Sequence, residues 1–303
     1  MIQKFLKYVE ITTKITSLFA YLNAMLFMIY EKQPINIKLM VIFFIAMLLF
    51  DLTTTAINNY IDSKDYPEML PIPRKGAFIS IMVMLGISTV LGLYLAFNTS
   101  IIVLLLGGLC FLLGIFYTFG PIPISRIPLG EIISGVAYGM FIPFLMMYIN
   151  NPTHYLDLHL SLETISLTIN VMPFIAFFLF SLVTTFTTSN IMLANNPCDI
   201  EKDTAVGRLT LAYYIGRKWA VRLYALLYYG TYVSVALMVI FRFLHPVSLI
   251  FFLSLPLVIK NIHIFRNEQI KEKTFVTSIR NFIIINSCYA VSILAAILVN
   301  VIF

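Results

Sequence analysis

The stretch that decides the fold is MVIFFIAMLLFDLTTTAINNYIDSKDY, Met40 to Tyr66. It opens with eleven apolar residues and closes on two amides and three acids. At about 100° per residue, Asp51, Thr55, Asn58, Asp62 and Asp65 are spaced by 4, 3, 4 and 3 and fall on one helical stripe. The other faces carry Ile, Leu, Phe and Ala. A polar stripe on so apolar a helix points into a bundle, toward a cavity. A helix ending at Asn58 before solvated loop acids is the plainer reading, but it does not explain Asp51, two turns deeper.

Composition agrees with a lipid setting. The 303 residues are 60% hydrophobic and 11% charged, where soluble proteins carry about a quarter charged residues. About nine apolar segments follow one another: 15–30, 39–61, 77–97, 101–119, 130–149, 169–193, 220–241, 246–259 and 281–303. Most approach the ~20 residues needed to span the hydrocarbon. None alternates like a membrane-barrel strand, so an all-α bundle is expected, one polytopic domain over residues 1–303. Nine spans with a cytoplasmic N-terminus put all of the 20 basic residues except Lys32, Lys38 and Arg242 on the inside. The net charge of +6 is therefore topology, and no nucleic acid is implied. Lys4, Lys7 and Lys14 precede a first transmembrane helix rather than a cleaved leader. The three cysteines form no zinc spacing or disulfide framework. The expected location is the cell membrane, with lipid as the solvent.

A second polar cluster, NNPCDIEKD, runs from Asn195 to Asp203 at the inside end of the sixth span. Asn195, Asp199 and Asp203 repeat every four residues, and Thr184 and Thr188 extend the face into the membrane. Two helices thus deliver an Asn and paired Asp residues to the same side. Converging carboxylates need cations. The donors are all oxygen, which fits Mg²⁺, an ion that keeps waters and takes few carboxylates plus substrate phosphate. Asn58, Asp62, Asp65, Asn195, Asp199 and Asp203 are its candidate ligands. Lys64, Arg74, Arg126, Lys202 and Arg208 lie beside the acids and suit a diphosphate. Lys75 and Arg217 serve equally well as membrane anchors.

These motifs resemble the UbiA-type intramembrane prenyltransferases. NNYIDSKDY is close to that family's N-x-x-x-D-x-x-x-D, DIEKD matches its D-x-x-x-D, and YTFGPIPISRIPLGE (Tyr117–Glu131) resembles its Tyr-Thr…Pro…Leu-Gly-Glu segment. The resemblance covers nearly the whole chain. It departs at Tyr66, where the family has an acid and this chain places one a residue earlier, at Asp65; Asn59 also stands where many members have Asp. The resemblance implies transfer of a prenyl group from an isoprenyl diphosphate to an electron-rich aromatic acceptor, with Mg²⁺ as cofactor. It implies catalytic roles for Asn58, Asp62, Asp199, Asp203 and Tyr117, with Asp51, Thr55, Thr188 and Asn195 toward the acceptor. Tyr60 and Tyr66 join Tyr117 as rings that shield an allylic cation. LANNPCDIEKDTAVGRLTLAYYIGR resembles the branch acting on 1,4-dihydroxy-2-naphthoate; 4-hydroxybenzoate, haem, chlorophyll and lipid acceptors stay open. An ion-coupled transporter and a CDP-alcohol phosphotransferase are the competing classes. The first keeps its acids at the midplane, and the second packs them into one compact motif.

The loops 62–76 and 197–217 are expected to cap the cavity, and residues 151–163 to lie at the opposite interface. Gly135 and Gly139 form a small-xxx-small pair for close helix contact. Nothing in the sequence specifies oligomeric state.

Overall fold

The computed structural model describes residues 2–64, 67–121, 123–161 and 163–302. Among them, eight helices are long and apolar enough to cross a membrane, and Ile101–Phe116 is a further apolar helix of 16 residues. After a short N-terminal helix α1 (Ile2–Tyr8) come α2 (Ile15–Tyr30), α3 (Ile37–Asp62), α4 (Arg74–Asn98), α5 (Ile101–Phe116) and α6 (Gly130–Asn150). A four-residue helix α7 (Pro152–Tyr155) and a hairpin, β1 (Leu156–Leu160) with β2 (Ile165–Ile169), lead into α8 (Val171–Ala205). The last three are α9 (Leu211–Ile240), α10 (Pro246–Asn267) and α11 (Val276–Ile302). The long apolar runs made this mostly helical membrane bundle legible in advance.

Three details extend or depart from the sequence reading. In the segment expected at the opposite interface, alternating Leu156, Leu158 and Leu160 pair with Ile169, Leu167 and Ile165 as strands. The short eighth span gains length by opening as a 3-10 helix over Pro246–Ser254 and continuing to Asn267. The expected 197–217 loop is mostly helix. α8 runs through Pro197 to Ala205, and Gly207, at φ +71°, ends it in the left-handed conformation that glycine adopts without a Cβ clash. The break inside α9 is a second such point, Gly216 at φ +76° and ψ 154°.

α6 holds a π turn over Ala137–Phe141. Pro143 lacks the N–H that would reach the Gly139 carbonyl, and the wider turn absorbs that gap. The two small residues face α8. A Cβ on Gly135 would strike Ser189, and one on Gly139 would strike the backbone of Thr185. Gly139→Ala is expected to force α6 and α8 apart, at about 1–3 kcal/mol of overpacking, and to lower the thermal midpoint in detergent. Gly86→Ala, where an added Cβ meets nothing within 4 Å, is expected to leave it unchanged or raise it. Equal midpoints for the two variants contradict the close contact.

Polar groups inside the bundle find one another. Asn286 on α11 accepts from Asn23 on α2 (3.2 Å) and Thr184 on α8 (3.2 Å), and donates to Thr187 (3.0 Å). At the end of the bundle away from the Asp motifs, Glu31 accepts from Gln33 and Tyr155, with His154 Nε2 4.0 Å away. Burial pushes the Glu31 carboxyl up to about 7 and the His154 imidazole down.

Candidate functional site

A cavity of about 900 Å³ opens between α3, α4, α5, α6, α8 and α11. Along α3 its wall runs from Phe43 to Asp62, nineteen residue steps or about 28 Å of helix. One end is polar, with Asn58, Asp62, Asn195 and Arg208. The other is apolar, with Phe43, Met47, Val103, Leu104, Leu145 and Ile149. Gly92, Gly107 and Gly108 lie in the wall where a Cβ would meet nothing within 4 Å, so α4 and α5 present a smooth open flank. The shape suits a ligand with a charged head and a long hydrocarbon tail.

The polar end is assembled from three chain segments. α3 brings Asn58, which accepts from Thr118 of the segment after α5. α8 brings Asn195 and Asn196, and the adjacent amides divide: Asn195 faces the cavity, while Asn196 donates to buried Glu131 at the start of α6. The turn after α8 brings Arg208. Its amide returns to the Asp203 carbonyl (2.8 Å), its Nε donates to the Ser125 carbonyl (2.9 Å), and the next amide, Leu209, reaches the Arg126 carbonyl (3.0 Å). Arg208 therefore joins the two acidic motifs: its Nη1 lies 3.9 Å from Asp203, and it shares the cavity wall with Asp62.

The remaining expected residues divide. Tyr117 and Thr188 line the cavity, Tyr117 with its hydroxyl accepting from Ser134 (3.3 Å). Asp199 and Asp203 are buried beside the polar end rather than on its wall, and Asp199 is paired with Lys271 from the segment after α10. Lys64 and Lys202 are exposed to solvent, as is Arg126. Arg74 is turned elsewhere: its guanidinium covers the Tyr60 ring at 4.1 Å and donates to the Ser63 carbonyl (3.3 Å). Tyr60 is thereby committed to Arg74 and Phe78, not to the cavity. Asp65 and Tyr66 lie outside the described residues.

Asp51 and Thr55 do line the cavity, but both are already partnered. Lys14, 2% exposed, donates to the Asp51 carboxylate (2.9 Å), the Asp51 carbonyl (3.0 Å) and Thr55 (2.5 Å). Ser17 and Tyr138 donate to the same carboxylate at 2.6 and 2.7 Å. All three ammonium protons are used. Sequence reading took Lys14 for a topology anchor and missed Ser17, Tyr138, Thr118, Glu131 and Lys271 as partners. The available signal was Asp51 itself, a deep acid with no assigned cation, and Lys14 with Ser17 one turn on along the first span.

The donor set fits a hard divalent cation. Asp203 Oδ2 is buried with no hydrogen-bond partner, an acceptor that favours a cation within reach. Among the described residues no three acidic, Cys or His side chains form a metal-binding group. A magnesium ion here would be held by carboxylates of the two motifs, with water and phosphate completing its shell.

Comparison with known proteins decides the lineage. Residues 17–283 match the model of the UbiA prenyltransferase family. The chain belongs to that family. A curated relative, 1,4-dihydroxy-2-naphthoate octaprenyltransferase of Bacillus subtilis (strain 168), is 29% identical over 247 residues, 78% of this chain and 73% of the relative. Among solved structures, digeranylgeranylglyceryl phosphate synthase superposes with a TM-score of 0.65 at 16% identity, covering 98% of both chains. A UbiA homologue from Archaeoglobus fulgidus bound to GPP and Mg²⁺ superposes at 0.60, with 14% identity over 97% of this chain and 99% of that one. A UbiA homologue from Aeropyrum pernix K1, in its apo form, gives 0.63 at 16% identity over 96% and 98%. This UbiA-family chain shares their fold, and it is a multi-pass membrane protein.

Proposed function

We propose that this chain transfers a polyprenyl group from an isoprenyl diphosphate to 1,4-dihydroxy-2-naphthoate, in a Mg²⁺-dependent reaction of menaquinone biosynthesis. The observation that carries the reading is one cavity with an Asn/Asp/Arg head and a long apolar body. The naphthoate-specific relative and the second motif favour this acceptor over benzoate, haem, chlorophyll or lipid substrates. The whole chain acts as one domain in the cell membrane, with its N-terminus and Asp motifs on the cytoplasmic side, where its basic residues concentrate.

Asp62, Asp203, Asp199 and the amides Asn58 and Asn195 are the groups that would hold Mg²⁺ and the diphosphate. When bound there, Mg²⁺ would offset the charge that builds on the departing diphosphate. Arg208 and Arg126 hold phosphate oxygens, and the prenyl tail lies along Met47, Phe50 and Phe111. The allylic C–O bond breaks and the diphosphate leaves with the electron pair. The Tyr117 ring faces the carbon left electron-poor. The acceptor's carboxyl-bearing carbon forms the new C–C bond and expels CO₂, so no strong base is required. Asp51 acts on the acceptor indirectly, by fixing the Tyr138 hydroxyl in the cavity wall.

The test is an acceptor panel with purified protein, Mg²⁺ and one prenyl diphosphate. Naphthoate is expected to yield prenylated product with one CO₂ released per diphosphate. Product from benzoate, haem or another acceptor alone transfers the chain to a different branch of the family.

A further inference from the structure

The β1–β2 hairpin is amphipathic across its own two faces. Residues two apart on a strand share a face, and so do directly paired residues. Leu156, Leu158 and Leu160 stand opposite Ile169, Leu167 and Ile165, so six aliphatic side chains share one face. Asp157 and His159, opposite Thr168 and Ser166, form the other. Leu156 and Leu158 pack on the bundle core. Beyond them the face is bare: Leu160 is 49% exposed, Leu167 57% and Ile165 77%.

The base of the hairpin is fixed. Tyr155, fully buried, packs against Phe144 and Phe177. Asn170 closes the two ends by donating from its amide to the Tyr155 carbonyl (3.0 Å) and from its side chain to the Thr153 and His154 carbonyls (2.9 and 3.0 Å). The strands then run directly into the outward-facing apolar start of α8, where Val171 is 61% and Met172 65% exposed. The short α7 and the hairpin lie between two membrane-spanning helices, α6 and α8. The exposed aliphatic face is therefore continuous with a surface that already meets lipid.

We infer that the hairpin is a bilayer anchor. Its Leu160, Ile165 and Leu167 face sits in the interfacial region of the leaflet opposite the Asp motifs, with Asp157 and His159 toward water. The anchor fixes the depth of α6 and α8 and does not depend on the reaction assigned above. A monomer in lipid suffices, since a short aliphatic face at a membrane boundary is satisfied by acyl chains near the headgroups.

The chain has one tryptophan, Trp219, so depth is readable. Trp219→Phe is combined with Leu167→Trp or, for the polar face, Ser166→Trp, and reconstituted in vesicles of phosphatidylcholine brominated at shallow acyl positions. Leu167→Trp is expected to lose more than half its fluorescence and Ser166→Trp little. Ile165→Trp repeats the apolar-face reading should Leu167→Trp not fold. Equal quenching of both faces overturns the proposal. So does quenching of Leu167→Trp that vanishes as protein density rises, because a second copy would then be covering the face.

Discussion

Asp62→Ala is expected to reduce turnover by about a hundred- to a thousandfold while the protein still folds and inserts, and Asp203→Asn is expected to do the same. The magnitude is that of removing a preorganised charge from the reacting centre, about 10²–10³ per group. Asp62 ends α3 at the cavity head, where Arg208 also lines the wall, and Arg208 Nη1 lies 3.9 Å from Asp203. Asp203 also keeps one oxygen buried and unpartnered. This head, where one guanidinium serves both motifs, is the proposed meeting point of cation and diphosphate. Glu201→Gln is the control: Glu201 is on the same helix but is 73% exposed and paired with Arg217 (2.8 Å), and it is expected to stay near wild-type activity. Diphosphate binding should be measured alongside, with and without EDTA. Loss of binding on chelation, restored by Mg²⁺, is expected in the wild type and absent in Asp62→Ala. Retained turnover in either variant, or in chelator, would remove the site from this end of the cavity.

The second large effect concerns stability. Lys14→Met is expected to cost about 3–5 kcal/mol, because it leaves the Asp51 carboxylate buried without its cation. Asp51→Leu alone should cost a similar amount, stranding the ammonium. The double variant is expected to recover most of the loss, since two apolar groups of similar volume replace a buried pair at little net cost. Thermal midpoints in one detergent give the full cycle. Additive losses, or an unshifted midpoint in Lys14→Met, would show that the pair does not couple.

How much of this was readable depends on the distance over which each signal acts. Helices are local: apolar runs of known length, and the i, i+4 spacing of Asn195, Asp199 and Asp203, need only neighbours along the chain. The stripe from Asp51 to Asp62 was legible for the same reason. The side chains that complete the site were not. Lys14 meets Asp51 across 37 residues, Tyr138 meets it across 87, and Lys271 meets Asp199 across 72. Those meetings are set by how helices dock. The π turn that carries Tyr138 has only Pro143 as a local trace. Arg74 lies over the Tyr60 ring, a contact that its proximity in sequence to Asp62 does not show.

Asn286 bears on how the protein is made. It is the shared partner of Asn23, Thr184 and Thr187, which precede it by 263, 102 and 99 residues. A ribosome delivers α2 and α8 to the membrane well before α11. Until α11 arrives, those amide and hydroxyl groups have no interhelical partner there, and in hydrocarbon such groups draw in water, lipid headgroups or a chaperone. α11 therefore closes a polar seam whose other members, on α2 and α8, precede it by about a hundred residues or more.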